Sequence, residues 1–407
     1  MWRDEAFLHF RRSILATHRN SFHAGYFISW DKKKRRATPL ENGWKYRIYQ
    51  IFVLFCILVV LPTLCLNWGN LIALAFSREG ADVVEVWFAS LGIVYLLIGI
   101  QFMWNFVWPE GPKKFVNVYE SLLNLEKKLQ GMIPTQVFTS RRDVINSTTT
   151  RNISMVLTAF FFAFDYLVPW FCFVVAFSSH NPITFVVTST NLVPENYQFL
   201  SRIVCGLILA LVGTFVASVI SIGILIVMYG VVTLYLWTLF LVPTTEFGIS
   251  FDTGVKIYRS LRVMTVIQFD LARDFVILLM HHFYAVVWAT MAIYCVMIQV
   301  IVTNKVTPFS MILCVTMVFV AGSVEWFAIV FVAKGTTLSK EFILEGGRNH
   351  GRNKYRKRVL RSLLPNFINL EFVSFAETMR EGIEMGYFAN FMERVTHNTI
   401  SLLLARK

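Results

Sequence analysis

Over 407 residues the chain is 56% apolar and 15% aromatic but only 15% charged, with a mean hydropathy of +0.57. That balance excludes an ordinary soluble domain and a disordered chain, and points to a polytopic membrane protein. The formal charge of +13 is gathered in a few connecting segments, a pattern of membrane orientation and not of nucleic-acid binding.

Residues 1–48 are polar and basic, without the short apolar run of a cleavable signal peptide. Apolar runs of spanning length then follow near Tyr49–Trp68, Val84–Trp108, Ser154–Phe177, Ile203–Val242, Phe275–Thr303 and Pro308–Ala333, and the tail Gly382–Ala405 makes a seventh. The fourth run holds no formal charge between Arg202 and Glu246. Its glycines are too scattered to mark a turn, so one long helix projecting past the bilayer is expected.

Lys and Arg alternate in density between these runs. Residues 1–48, 109–153, 244–274 and 334–384 hold 11, 7, 4 and 10 of them, whereas the alternate connections hold only Arg78, Arg202 and Lys305. The bias places the N-terminus in the cytosol and, with an odd number of spans, the C-terminus outside. The expected fold is therefore all-α: seven transmembrane helices with a cytosolic N-terminal segment (1–48) ahead of a membrane domain (49–407) that carries a cytosolic base. Asn146-Ser147-Thr148 and Asn152-Ile153-Ser154 match the glycosylation pattern but would face the cytosol.

Within the base, Val116–Gly131 has apolar residues at 116, 118, 122, 123, 125 and 129, the spacing of an amphipathic helix. Arg348–Arg361 is a dense basic run, expected to face anionic lipid at the membrane surface. All six cysteines lie in apolar runs and read as core residues with no disulfide framework. No nucleotide-binding, hydrolase or metal-ligand motif stands out, so neither an enzyme nor a cofactor or metal site is expected.

Two carboxylates lie inside apolar runs, Asp165 near the middle of the third and Glu325 in the sixth. A buried carboxylate must be neutral, paired or wet. His282 stands 23 residues before Lys305 and Glu325 stands 20 after it. Across a hairpin they reach similar depth, within roughly 5 Å at 1.5 Å per residue, which makes them a candidate intramembrane pair. Aromatic residues crowd the outer halves of the spans. Trp87, Tyr95, Asp165, Tyr166, Trp170, Trp288, Tyr294 and Phe319 are the candidate ligand-binding set, suited to a small, partly apolar molecule.

The tail combines spanning length with polarity. Asn390, Arg394, His397, Asn398 and Ser401 recur at helical spacing and form one stripe, opposite Phe388, Met392, Val395, Leu403 and Leu404. A surface-lying amphipathic helix and a pore-lining or bundle-centre helix are both compatible with it.

Seven spans with the N-terminus inside, a long fourth helix, a cytosolic base and a short external C-terminus resemble the arthropod odorant and gustatory receptor superfamily, and the chain looks like a divergent gustatory-type member. In sequence the resemblance is confined to the final part, with Arg361-Ser362-Leu363, Phe375, Thr378 and Asn398-Thr399-Ile400-Ser401-Leu402-Leu403-Leu404. A Tyr after Thr399 and a terminal Gln-Phe are missing. The resemblance implies a tetrameric ligand-gated cation channel of the plasma membrane, homomeric or heteromeric, opened by a sugar, bitter compound or volatile bound among spans two to six. It implies that 109–153, 244–274 and 334–384 form an anchor, and that the last helix lines the pore with Asn390, Arg394, His397, Asn398 and Ser401, Val395 or Leu402 acting as gate. The alternative is an inverted-topology metabotropic receptor or transporter whose polar tail stripe is bundle packing.

Overall fold

The computed structural model describes residues 3–20, 26–34, 36–40, 43–76, 83–139, 168–177, 181–189, 193–242, 249–274, 281–302, 308–350, 352–366 and 387–405, with isolated positions between 155 and 166. The helices are α1 (Arg3–Asn20), α2 (Trp44–Phe55), α3 (Leu61–Phe76), α4 (Val83–Trp104), α5 (Glu110–Gly131), α6 (Val168–Ala176), α7 (Pro182–Ser189), α8 (Gln198–Leu241), α9 (Phe251–Asp274), α10 (His281–Met297), α11 (Pro308–His350), α12 (Lys354–Arg361) and α13 (Tyr387–Ala405). A π-helical turn, Cys56–Val60, joins α2 to α3 without a break, and another, Ile298–Val302, extends α10.

Three described stretches are long and apolar enough to cross a membrane: Trp44–Leu74, Gln198–Leu241 and Phe283–Ile301. Gly92–Trp104 and Cys314–Ser323 are shorter apolar helical stretches. The fourth run is one uninterrupted helix of 44 residues. At 1.5 Å per residue it is about 66 Å long, twice the hydrocarbon thickness. Helix α11, at 43 residues, is as long.

The chain divides into two units. One comprises residues 4–117 and 152–226, the other 1–3, 118–151 and 227–407. In the first unit the all-helical expectation needs an amendment. Residues 28–39 form an antiparallel hairpin, β1 (Ile28–Asp31) against β2 (Arg36–Pro39), with Ser29 opposite Thr38 and Trp30 opposite Ala37. The hairpin hides in a basic run without a turn glycine. Its turn is made by Asp31, whose carboxylate accepts the Lys33 and Lys34 amides at 2.8 and 3.0 Å. The Lys34 amide above all holds that carboxyl below its ordinary value.

The hairpin is anchored by aromatic packing. Phe27 is fully buried and stacks on Phe106 at 4.1 Å, and Tyr26, Tyr49 and Phe215 complete the cluster. The same place solves the problem of a buried helix end. The final carbonyls of α4 and the turn after it have no intrahelical donors. Tyr49 donates to Met103 O at 2.7 Å, Tyr46 to Phe106 O and Val107 O at 3.0 and 2.7 Å, and Gln50 to Val107 O at 2.8 Å. Farther along, Trp68 of α3 donates to Ser90 of α4, and Tyr95 of α4 to Gly213 O of α8. Close approach of α4 and α8 depends on Gly223, where a Cβ would collide with the Phe102 ring.

In the second unit α5 is amphipathic as expected, but its buried stripe is Tyr119, Leu122, Glu126 and Leu129, whereas Val118, Leu123 and Leu125 are half-buried. Glu126 is fully buried and accepts the Tyr229 hydroxyl at 2.5 Å, while Tyr119 packs edge-on against Tyr229. Gln268 of α9 fills the space left by the missing side chain of Gly230. Phe138, Trp237 and Phe240 pack together beyond that point.

If the tyrosine hydroxyls are what closes the end of α4, Tyr46→Phe and Tyr49→Phe each lower the midpoint of thermal unfolding in detergent. The expected loss is about 1 kcal/mol each, larger for Tyr46, because Phe106 O then loses its side-chain donor, whereas Met103 O keeps the Phe106 amide and Val107 O keeps Gln50. Unchanged midpoints would remove the hydroxyls from the account.

Candidate functional site

Helix α13 packs one edge against α10 and α11. Phe391 (2% exposed) and Val395 (3%) join Ala285, Val286 and Ala289 of α10 and Ala321 of α11 in one apolar cluster, with Phe388 and Ile293 at its margin. The small residues on α10 let the two helices approach closely. Thr399 continues the buried edge and returns its hydroxyl to Val395 O at 2.7 Å.

The remaining surface of α13 is exposed and divided. Asn390, Arg394, His397, Asn398 and Ser401 lie along one flank. The other flank carries Met392, Ile400 and Leu404, with Glu393 among them. The sequence-derived opposite face therefore shifts. Val395, expected opposite the polar stripe and named with Leu402 as a gate, belongs to the packed edge, in one cluster with Ala285, Val286 and Ala289. Met392 and Leu404, expected to pack, are exposed. Leu402 is half-buried between these regions.

The candidate ligand residues separate into those that face inward and those that do not. Tyr166 and Trp170 lie on an exposed aromatic ridge at three- and four-residue spacing, in which Phe162 stacks on Tyr166 and Trp170 on Phe173 at 5.0 and 5.9 Å. Arg19 of α1 places its guanidinium 4.6 Å from the Tyr166 ring centre. A guanidinium is strongly disfavoured in hydrocarbon, so Tyr166 sits at a wet level. Phe319 is 73% exposed and also faces away from its own bundle. Tyr95, Trp288 and Tyr294 are half-buried, and the Trp288 indole N–H is enclosed with no acceptor among the described residues. Asp165 and the side chains of Trp87 and His282 lie outside the described residues. Glu325 is fully buried on α11.

Below the cluster, α9 and α11 hold the segment after α12. Tyr258 hydroxyl and Ser339 hydroxyl are 2.6 Å apart, and both are reached by the Asn366 amide, at 3.2 and 2.7 Å. The Asn366 side chain donates to Tyr258 O, Tyr258 donates to Leu364 O, and Arg262 donates to Pro365 O. Burial raises the Tyr258 phenol above its ordinary value, which keeps it a donor. The basic run expected at the membrane surface begins at the far end of α11, about 22 Å along the axis beyond Ala333. Asn353 caps α12 by accepting the Tyr355 and Arg356 amides. A neighbouring cleft lined by Phe251, Gly254, Glu345, Asn349 and His350 holds about 20 Å³, room for a water molecule and not for a tastant.

Buried polar residues that sequence reasoning passed over are Glu126, Tyr229, Tyr258, Ser339 and Asn366. The one available signal was a glutamate on the apolar stripe of α5. No protein-family model matches the chain, and no curated protein does; its function has to be read from its own residues.

Two measurements test this geometry. Val395→Asn puts an amide into the apolar cluster and is expected to cost about 1–3 kcal/mol, lowering the melting midpoint and the monodisperse yield, whereas Asn398→Ala stays within about 0.5 kcal/mol of the parent. Equal losses would mean that the polar flank packs as well. At the end of α11, Arg356 has only donors, so its 3.1 Å contact with His350 Nδ1 requires a neutral imidazole. Burial, and secondarily the Arg356 cation, push His350 below its ordinary 6.5. The contact is therefore intact above pH 6.5 and weakens as pH falls below it, with Glu345 the nearby carboxylate in the cleft. Intrinsic-rate-corrected hydrogen exchange at 351–358 is expected to quicken between pH 7.5 and 5.5 in the parent and not in His350→Gln.

Proposed function

We propose that the protein is a chemosensory ligand-gated ion channel of the plasma membrane, with seven spans, a cytosolic N-terminus, and the last helix of each of several copies lining a shared water path. The observation that carries this reading is the division of α13. Its apolar edge is consumed by Ala285, Val286, Ala289 and Ala321, while Asn390, Arg394, His397, Asn398 and Ser401 face away from the chain's own bundle.

A helix lying on the membrane surface buries its apolar face in lipid, whereas here the edge with Phe391 and Val395 is covered by protein and Met392, Ile400 and Leu404 remain exposed. A bundle-centre helix turns its polar groups toward its own neighbours, and this one turns them outward. In hydrocarbon an outward arginine and two asparagines each cost several kcal/mol. Water shared with further copies removes that cost, and the exposed apolar flank at Met392, Ile400 and Leu404 supplies a surface for the next copy. A small, partly apolar molecule such as a sugar, bitter compound or volatile is the opening signal. The enclosed indole N–H of Trp288, with half-buried Tyr294 one helical segment away, supports a role for α10 in holding it.

The experiment is cysteine accessibility in a chain lacking its six native cysteines. Single cysteines at Asn390, Arg394, Asn398 and Ser401 are expected to react with external thiol reagents during activation and to change the current, and cysteines at Phe391 and Val395 to stay protected. A tag after Lys407 should be reached on intact cells, and one at the N-terminus only after permeabilisation. If all four polar-flank cysteines stay unmodified while a panel of sugars, bitter compounds and volatiles still evokes a cell response, the metabotropic reading replaces this one.

A further inference from the structure

We propose that the β-hairpin of residues 28–39 docks the headgroups of anionic phospholipids in the cytosolic leaflet, an inference that takes from the channel reading only the cytosolic N-terminus. Residues 28–39 carry five Lys or Arg against one acid. That acid, Asp31, spends its carboxylate on the Lys33 and Lys34 amides of the turn, whereas Lys32, Lys33, Lys34 and Arg36 are exposed. A two-stranded hairpin is marginal alone, so its root is fixed from outside. Phe27 stacks on Phe106, and His18 Nε2 lies 2.7 Å from Ile28 O. Between the strands the Ser29 and Thr38 hydroxyls meet at 2.7 Å.

Tryptophans set the level of that root. On the continuous rod of α2 and α3, Trp44 and Trp68 stand 24 residues apart, about 36 Å at 1.5 Å per residue, and no charge falls between Arg47 and Arg78. That distance is the hydrocarbon thickness with a small margin, so Trp44 marks the inner boundary. The Tyr46 hydroxyl reaches Phe106 O and Val107 O, which brings the turn between Trp104 and Trp108 to the same level. Trp44, Trp104 and Trp108 are 62%, 44% and 61% exposed, as an outward aromatic belt requires. Because Phe27 stacks on Phe106, the hairpin root lies at this belt. Four strand residues at about 3.3 Å each keep its tip within about 13 Å of the root, in reach of lipid phosphates. The basic run Arg348–Arg361, by contrast, starts about 22 Å beyond Ala333, more than two Debye lengths at physiological salt. Past Trp44, exposed Ile48, Ile51 and Leu54 of α2 offer a surface to the acyl chains of the same lipid. Cations at the headgroups with an apolar stripe beside them fit a lipid better than a soluble polyanion.

The test titrates the purified full-length protein, in a nonionic detergent, with fluorescent phosphatidylinositol bisphosphate and reads polarisation. Unlabelled phosphatidylinositol bisphosphate is expected to displace the probe, phosphatidylserine to do so more weakly, and phosphatidylcholine not at all. Inositol trisphosphate, a headgroup without chains, should compete roughly tenfold more weakly than the lipid. Lys32→Gln, Lys33→Gln and Lys34→Gln should each weaken binding about fivefold, and all three together roughly a hundredfold. Arginine at the three positions should retain it, and the single variants guard against a loss of folding in the triple one. Lys354→Gln with Lys357→Gln on α12 should leave it unchanged. Binding by the triple variant within about twofold of the parent, loss confined to the α12 variant, or equal competition by inositol trisphosphate overturns the inference. None of these outcomes touches the channel reading. An N-terminal tag reached on intact cells overturns the topology under both readings, whereas failed binding with that tag enclosed overturns the hairpin site alone.

Discussion

Hydrocarbon offers no hydrogen bonds, and the way each apolar helix disposes of its polar atoms governs the rest of this structure. Hydroxyls within helices turn back to the carbonyl four residues earlier, as Thr63 does to Val59, Thr238 to Leu234 and Thr399 to Val395. Helix ends are closed by side chains from neighbours, with Tyr46, Tyr49 and Gln50 meeting the last carbonyls of α4. The buried acid of α5 is matched by a phenol, Glu126 with Tyr229. Against that background an outward flank of five polar residues on α13 stands apart, since no side chain among the described residues answers it.

Two helices are far longer than a single bilayer crossing requires. Both α8 and α11 run about twice the thickness of a bilayer core, so half of each must be stabilised by something other than lipid. Along α11 that support comes from α9, through the stacked rings of Tyr258 and Phe342 at 4.9 Å and the hydroxyl pair of Tyr258 and Ser339. Asn366 joins the same pair with both its backbone and side-chain nitrogens. This network ties down the chain just ahead of the segment leading to α13. A buried network with several donors and acceptors tolerates few alternative arrangements.

The division of α13 also separates two physical tasks that sequence pattern alone merges. Attachment to the bundle uses Phe391 and Val395 against small residues, where close packing does the work. The polar flank takes no part in that attachment.

Much of this was legible in the amino-acid order. Apolar run length identified α8 as one helix, periodicity identified α5 as amphipathic, and the spacing of Asn390, Arg394, Asn398 and Ser401 identified a polar stripe, because each depends only on neighbours along the chain. What tertiary structure decided are the partners. The hairpin of residues 28–39 escaped because its turn is made by one aspartate and its stability by Phe27 stacking on a phenylalanine 79 positions away. Tyr166 and Trp170 had the composition of a pocket, but their three- and four-residue spacing put them on an exposed ridge beside Arg19. Val395 and Met392 are equally apolar and three residues apart. Only the positions of Ala285, Val286 and Ala289 decide that the first is buried and the second is not, because helical spacing fixes which residues share a face, while which face is covered depends on what packs against it.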